Sequence, residues 1–156
     1  MSTLGLAQDY RFALFNQTGI TISNFPNSGP TVVGRRVRFD TNGSLSYETA
    51  HVSFFSISSL SGGANIGSNS YVPGSTFSNT ASMWLGGEFV FSAGTVSNAS
   101  GNLTLYLEFS TDGGSTWPIP ASANGAGGGM VIAVLGFAST TTASTASTNR
   151  NVIFEL

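Results

Sequence analysis

Two glutamates stand near the ends of the two clearest strand patterns in the chain. Glu88 opens EFVFS (88–92), and Glu108 nearly closes NLTLYLEFS (102–110). If Phe89 pairs with Leu107 and Phe91 with Leu105, the same register sets Glu88 opposite Glu108. Carboxylates on adjacent strands can serve as nucleophile and acid in a retaining glycosidase. Directly opposed like charges are unfavourable unless a reaction or a cation uses them. A two-residue shift keeps the same core face and removes the pair. A glycan cleft also needs aromatic walls, and only Tyr106 clearly shares that face. The glycosidase is therefore a minor reading.

Arg35, Arg36 and Arg38 form the one basic cluster. The chain has no lysine and a net charge of −2, so a general phosphate-backbone binder, and with it a nucleic-acid partner, is not expected. The cluster suits an acidic patch on a partner protein or an anionic glycan. The competing use is local: Arg38 stacking on Tyr47 across a hairpin. His51 is the only histidine, and no Ser-His-Asp arrangement accompanies it. Asp40-Thr41-Asn42-Gly43 resembles the opening of a calcium loop, but the later ligands are missing. Without cysteine there is no disulfide, thiol chemistry or zinc–thiolate site. No glycine-rich phosphate loop leads into a helix. Neither a cofactor nor a metal is expected.

Residues 110–118, STDGGSTWP, fit S-x-D-x-G-x-T-W through Ser110, Asp112, Gly114, Thr116 and Trp117. This resembles the Asp box of sialidase-like β-propellers. A propeller needs several four-stranded blades, and 156 residues with a single copy of the motif cannot supply them. Each residue has a structural task instead. Asp112 accepts backbone N–H bonds, Gly113 and Gly114 supply positive φ, Trp117 folds back over the hairpin and Pro118 ends the strand. The box reads as a structural turn.

The elements that must position these groups are strands. Only 8% of residues are charged, against about a quarter in an ordinary soluble domain. With 24 Ser, 17 Thr, 20 Gly and 12 Asn, the composition disfavours helices and favours turns and strands. Twelve Phe and 40% hydrophobic residues are enough for a real core. Alternation predicts strands at Tyr10–Phe15, Ile20–Ser23, Val52–Ile57, Glu88–Ser92, Asn102–Ser110 and Asn151–Leu156. Glu88–Ser92 and Asn102–Ser110 are expected to form one hairpin. Residues 34–49 predict another, closed by a two-residue turn at Asn42-Gly43, with Val37 and Phe39 inward and Arg36, Arg38 and Asp40 outward. Met130–Ala138 (MVIAVLGFA) is apolar throughout, as in a strand buried on both faces or held at a subunit contact.

Together these give an all-β, two-sheet antiparallel sandwich of jelly-roll or immunoglobulin-like connectivity, with long Gly/Ser/Thr-rich loops. It is a single domain: residues 1–30 form an N-terminal arm or the first strands, and 31–156 the sandwich. Ser58–Ser82, Pro118–Gly129 and Ser139–Asn149 read as loops that order against other subunits. The first fifteen residues lack a signal-peptide pattern, so the sequons at Asn16, Asn42, Asn98 and Asn102 read as chance. No apolar run approaches the roughly 20 residues that span a bilayer, and no membrane partner is expected.

The C-terminal third, with GNLTLYLEFSTDGGSTWP, a Gly-rich loop, MVIAVLGFAS and RNVIFEL, resembles small β-sandwich virion proteins of tailed bacteriophages. The resemblance covers roughly residues 101–156 and brings no catalytic residues. It implies a structural role without enzymatic activity: a capsid decoration (cement) protein bound to the major capsid protein, as a homotrimer on the virion surface, assembled in the host cytoplasm. Arg35, Arg36 and Arg38 are the expected anchors, with the Tyr71–Phe77 and Gly125–Met130 loops as contact surfaces. The alternative is a receptor- or carbohydrate-binding sandwich of a head fibre, tail fibre or baseplate, presenting Tyr71, Phe77 and Trp84.

Overall fold

A computed structural model describes residues 9–23, 29–56, 65–81, 83–94, 99–117, 130–137 and 151–155. Among these every regular element is a strand: β1 (Asp9–Gln17), β2 (Ile22–Ser23), β3 (Thr31–Phe39), β4 (Leu45–Tyr47), β5 (Val52–Ser56), β6 (Asn65–Ile66), β7 (Ser70–Pro73), β8 (Phe77–Ser78), β9 (Gly86–Ser92), β10 (Gly101–Ser110), β11 (Met130–Phe137) and β12 (Asn151–Glu155). Two antiparallel sheets pack face to face as a sandwich. The first runs β11-β10-β1-β7, with β8 also on β1; the second runs β12-β9-β3-β4, with β5 also on β3. A two-stranded pair, β2 with β6, closes one corner.

Alternation explains the core. Tyr10, Phe12 and Leu14 of β1, Leu103, Leu105 and Leu107 of β10, and Phe89 and Phe91 of β9 are all at most 1% exposed. Burial of each such side chain contributes about 1.5–3 kcal/mol. Phe54 sits at the centre, edge-on to Phe12 (5.8 Å) and Phe89 (5.1 Å), the geometry that aromatic quadrupoles prefer. Its neighbour Phe55 is buried as well, which simple alternation forbids. A β-bulge resolves this: Val32 pairs with Phe55 and Val33 with Ser53, leaving Phe54 as the extra residue. On the other side of β3, Gly34 lets β9 approach. A Cβ there would lie 2.3 Å from the Glu88 carbonyl oxygen and 2.6 Å from Phe89 Cδ1.

Several local expectations are corrected. β9 and β10 are not a hairpin: they lie in different sheets, and Ala93 just after β9 and Ala99 just before β10 are both buried. The first hairpin is β3–β4, but its turn is not the two-residue type. Asp40 and Ser44 are joined by a backbone bond, Gly43 alone takes positive φ (79°), and Asp40 Oδ1 accepts the N–H groups of Asn42 and Ser44. That is a three-residue connection ending in a left-handed glycine.

The faces of β3 are also reversed. Val32 and Gly34 are buried, so period 2 carries Arg36 and Arg38 along the inward row. Phe39 on the outward row is 58% exposed. The stretch Ser58–Ser82 is not one loop, since it contains β6, β7 and β8, whose shortness, two to four residues each, hides any alternation.

Asn16, one of the sequons, is fully buried. Its Nδ2 donates to the carbonyls of Ile20, Ile66 and Gly67, and its Oδ1 accepts from Thr18. It clamps the β2–β6 corner and offers no surface for a glycan. The expected loops 118–129 and 139–149, the Gly125–Met130 surface except Met130, Asn98, and Arg150 lie outside the described residues.

Candidate functional site

Among the described residues, two clusters gather many of the chemistry-bearing side chains. The first lies where β3 emerges from the core. The Arg36 guanidinium bonds Glu48 Oε1, and its backbone N–H bonds Glu48 Oε2 at 2.9 Å. Its Nη1 meets the Tyr10 hydroxyl at 3.3 Å. Burial pushes the Glu48 carboxyl up, but the two Arg36 bonds and the charges of Arg36 and Arg38 more than offset it, leaving its pKa below the ordinary value. The Arg36 guanidinium carbon is 4.8 Å from the Trp84 ring centroid and that of Arg38 is 4.9 Å from it. Trp84 is held for this task by Asn79, whose Oδ1 accepts the Trp84 N–H (2.6 Å) and whose Nδ2 donates to the Trp84 carbonyl (2.9 Å). Met83 just before it takes φ 49°, a left-handed conformation rare for such a side chain.

Beside this cluster the sheet surface carries exposed apolar side chains. Phe39 faces Leu45 and Val37 faces Tyr47 across the β3–β4 pair, with Phe39 58%, Leu45 61% and Tyr47 44% exposed. Arg35, on the same face, pairs with Glu88 (3.3 Å) and lies 5.4 Å over Tyr47. The residue stacked on Tyr47 is thus Arg35, and Arg38 turns to Trp84.

The second cluster covers the outer face of the first sheet. Glu108 is 2% exposed; Arg11 Nε donates to its Oε2 at 2.7 Å and the Tyr71 hydroxyl donates to its Oε1. Burial, then the hydrogen bond and charge of Glu108, push the Tyr71 hydroxyl well above the ordinary tyrosine value. Trp117 covers Arg11 from above. The Asp-box turn delivers that ring. Ser110 Oγ donates to Asp112 Oδ1 (2.7 Å) and accepts the Gly114 N–H (3.0 Å), Thr116 N–H bonds Asp112 Oδ1 (2.9 Å), and Thr116 Oγ1 donates to Asp112 Oδ2. Gly113 and Gly114 both take positive φ. The Thr116 bonds, with that of Ser110, lower the Asp112 carboxyl to about 2. Nearby on β1, Asp9 is 6% exposed and its Oδ2 has no hydrogen-bond partner.

The structure therefore scatters some expected groupings and makes others. Glu88 and Glu108 are not opposed: Glu88 faces Arg35 on β3 and, by backbone register, Glu155 on β12, while Glu108 faces Arg11 on β1. The carboxylate pair needed by the glycosidase reading is not formed. Tyr71 and Phe77 lie on strands rather than a loop. Phe77 stacks on Tyr10 at 5.7 Å and packs on Phe54 at 4.9 Å, and Trp84 is 8% exposed. Among the described residues the aromatics presented to solvent are instead Phe39 and Tyr47, which the reversed β3 register concealed. The apolar strand β11 is an edge strand with one covered face. Ala133, Leu135 and Phe137 point into the core, whereas Met130, Val131 and Val134 are 50–52% exposed.

Comparison of the chain with protein-family models, curated proteins and solved structures finds no significant match. Among the described residues no group of three or more His, Cys, Asp or Glu could hold a metal ion, and no helix is long and apolar enough to cross a membrane.

Proposed function

We propose that the chain is a structural subunit of a tailed-bacteriophage particle: a capsid decoration protein that binds the major capsid protein and stabilises the shell, acting as a homotrimer. The observation that carries this reading is an inverted surface. Arg11, Arg35 and Arg36 are spent on Glu108, Glu88 and Glu48 within the chain. Large apolar side chains stand outside instead, at the β3–β4 end (Phe39, Leu45, Tyr47, Met83) and along β11 (Met130, Val131, Val134). Contiguous exposed apolar groups mark protein contact surfaces. The likeness of residues 101–156 to phage virion sandwiches supports the same role. Binding to an assembled shell but not to its free subunits stabilises the shell by mass action, increasingly so as the free protein exceeds its dissociation constant.

On this reading β11 supplies the contact between copies and the β3–β4 end the contact with the shell. The test mixes purified protein with empty shells built from the same virus's major capsid protein, and follows cosedimentation and mass. A stable trimer that coats shells is the expected result. Val131→Asp with Val134→Asp should give a folded monomer, since both side chains are half exposed. A wild-type monomer without affinity for any shell would overturn the assignment and leave the receptor-binding sandwich.

A further inference from the structure

We infer that the cleft beside Arg38 is a carboxylate-binding site that takes an acidic side chain, flanked by apolar residues, on the protein surface to which the chain docks. The inference refines the docking role proposed above by naming one of its contacts.

Four of the five arginines lie among the described residues, and three of them have a carboxylate partner. Arg38 has none: among the described residues it forms no ion pair, and its guanidinium lies against the Trp84 ring, 4.9 Å from the centroid. It is an exposed residue on the wall of an open cleft of about 340 Å³ that also includes Tyr47, Glu48 and Trp84. A guanidinium held over an indole can still donate its N–H groups, two of them in parallel to a carboxylate. Contact with the ring also limits the side-chain entropy that binding would otherwise cost.

Glu48 does not compete for Arg38 in hydrogen-bonding terms. Both of its oxygens accept bonds from Arg36, and its side chain is 13% exposed. Glu48 is balanced by its ion pair with Arg36, which leaves the charge of Arg38 without an ion-pair partner among the described residues. Tyr47 belongs both to the cleft wall and to the exposed face that carries Phe39 and Leu45. An occupant matching both features bears a carboxylate beside apolar groups. Arg, Trp and Tyr together are the side chains that dominate interface energetics.

The probe is the blocked peptide Ac-Gly-Leu-Asp-Phe-Gly-NH2 with its Asn counterpart, titrated to about 10 mM into isotopically labelled full-length protein, a range suited to weak millimolar binding. The Asp peptide should shift the Trp84 indole N–H and the Arg38 Nε–H, and should bind about tenfold more tightly than the Asn peptide. Arg38→Gln should abolish that preference, and Arg38→Lys should keep only part of it.

Equal affinity for both peptides, or shifts centred away from Trp84, would overturn the site. If Arg38→Gln fails to fold, the peptide pair on the wild-type protein decides alone. Shell binding separates the two proposals. Binding retained in full by Arg38→Gln overturns this site and leaves the docking role intact. Wild-type protein that ignores shells overturns the docking role, and the peptide comparison still decides the cleft.

Discussion

The guanidinium of Arg11 stands 4.1 Å over the ring of Trp117. One residue comes from near the start of β1 and the other from the end of the Asp-box turn, so the turn acts as a lid on the sheet. A cation over an indole contributes about 1–2 kcal/mol when partly desolvated. Trp117→Ala should therefore lower stability by about that amount in urea titrations, with the fold retained. Asp112→Ala should reproduce much of the loss, because without its bonds to Ser110 and Thr116 the ring is no longer placed. Asp112→Ala as stable as wild type would show that the turn and the lid are independent.

Beneath that lid, Glu108 and Arg11 form a pair of unequal depth, with side-chain exposures of 2% and 16%. Removing one partner of a buried ion pair typically costs about 3–5 kcal/mol, whereas replacing both with apolar groups is often neutral. Arg11→Met alone should be severely destabilising, since it leaves Glu108 with only the Tyr71 hydroxyl. Arg11→Met with Glu108→Met should recover most of the loss. A double variant as unstable as the single one would mean that the pair is a net source of stability.

These two strands also show what the sequence could and could not tell. In NLTLYLEFS the alternation identifies Leu103, Leu105 and Leu107 as core residues, and they are. It says nothing about the other face, yet Thr104, Tyr106 and Glu108 are buried too, beside Ala13, Phe15 and Tyr71. MVIAVLGFA gives the opposite lesson: its unbroken apolar run suggests two covered faces or a subunit contact, and within the chain β11 has one covered face. Periodicity reports which residues share a face, and the rest of the chain decides what covers each face. The same holds for β3. Local alternation at Val37-Arg38-Phe39 favours an inward Phe39, but the register is fixed further back by Val32 and by Gly34 against Phe89. The Asp box was legible because its bonds are local. The Arg36–Glu48–Trp84 cluster was not, since it joins three segments through a bulged strand and an Asn79 clamp that no spacing rule announces.

Two glycines separate packing from backbone strain. At Gly34 the backbone φ is ordinary, but a Cβ would meet β9 at 2.3 Å and 2.6 Å. Gly34→Ala must push β3 and β9 apart and should cost about 1–3 kcal/mol or more. At Gly43, φ is 79° and nothing lies within 4 Å of the added Cβ. Gly43→Ala should cost about 1–2 kcal/mol through backbone strain alone. Core near-ultraviolet dichroism should change in the first variant and stay unchanged in the second. Identical spectra in the two would refute the separation.

Acid and alkali should act on different groups of the molecule. Glu48 and Asp112 both have lowered pKa values in the fold. Their contributions are therefore complete above the ordinary carboxylate range and fade as pH falls through their folded values. For Asp112 that window reaches down to about 2. Tyr71 behaves in the reverse sense. Its folded pKa is raised, so its contribution is complete below the ordinary tyrosine value near 10 and fades as pH climbs above it. Melting temperatures should hold level through neutral pH, decline below about pH 4.5 and decline again above about pH 10. Glu48→Gln should flatten the acid limb and leave the alkaline one. Tyr71→Phe should do the converse, because phenylalanine cannot ionise beside Glu108. An alkaline limb unchanged by Tyr71→Phe would mean that another group governs it, with Tyr10, also raised by burial, the next to substitute.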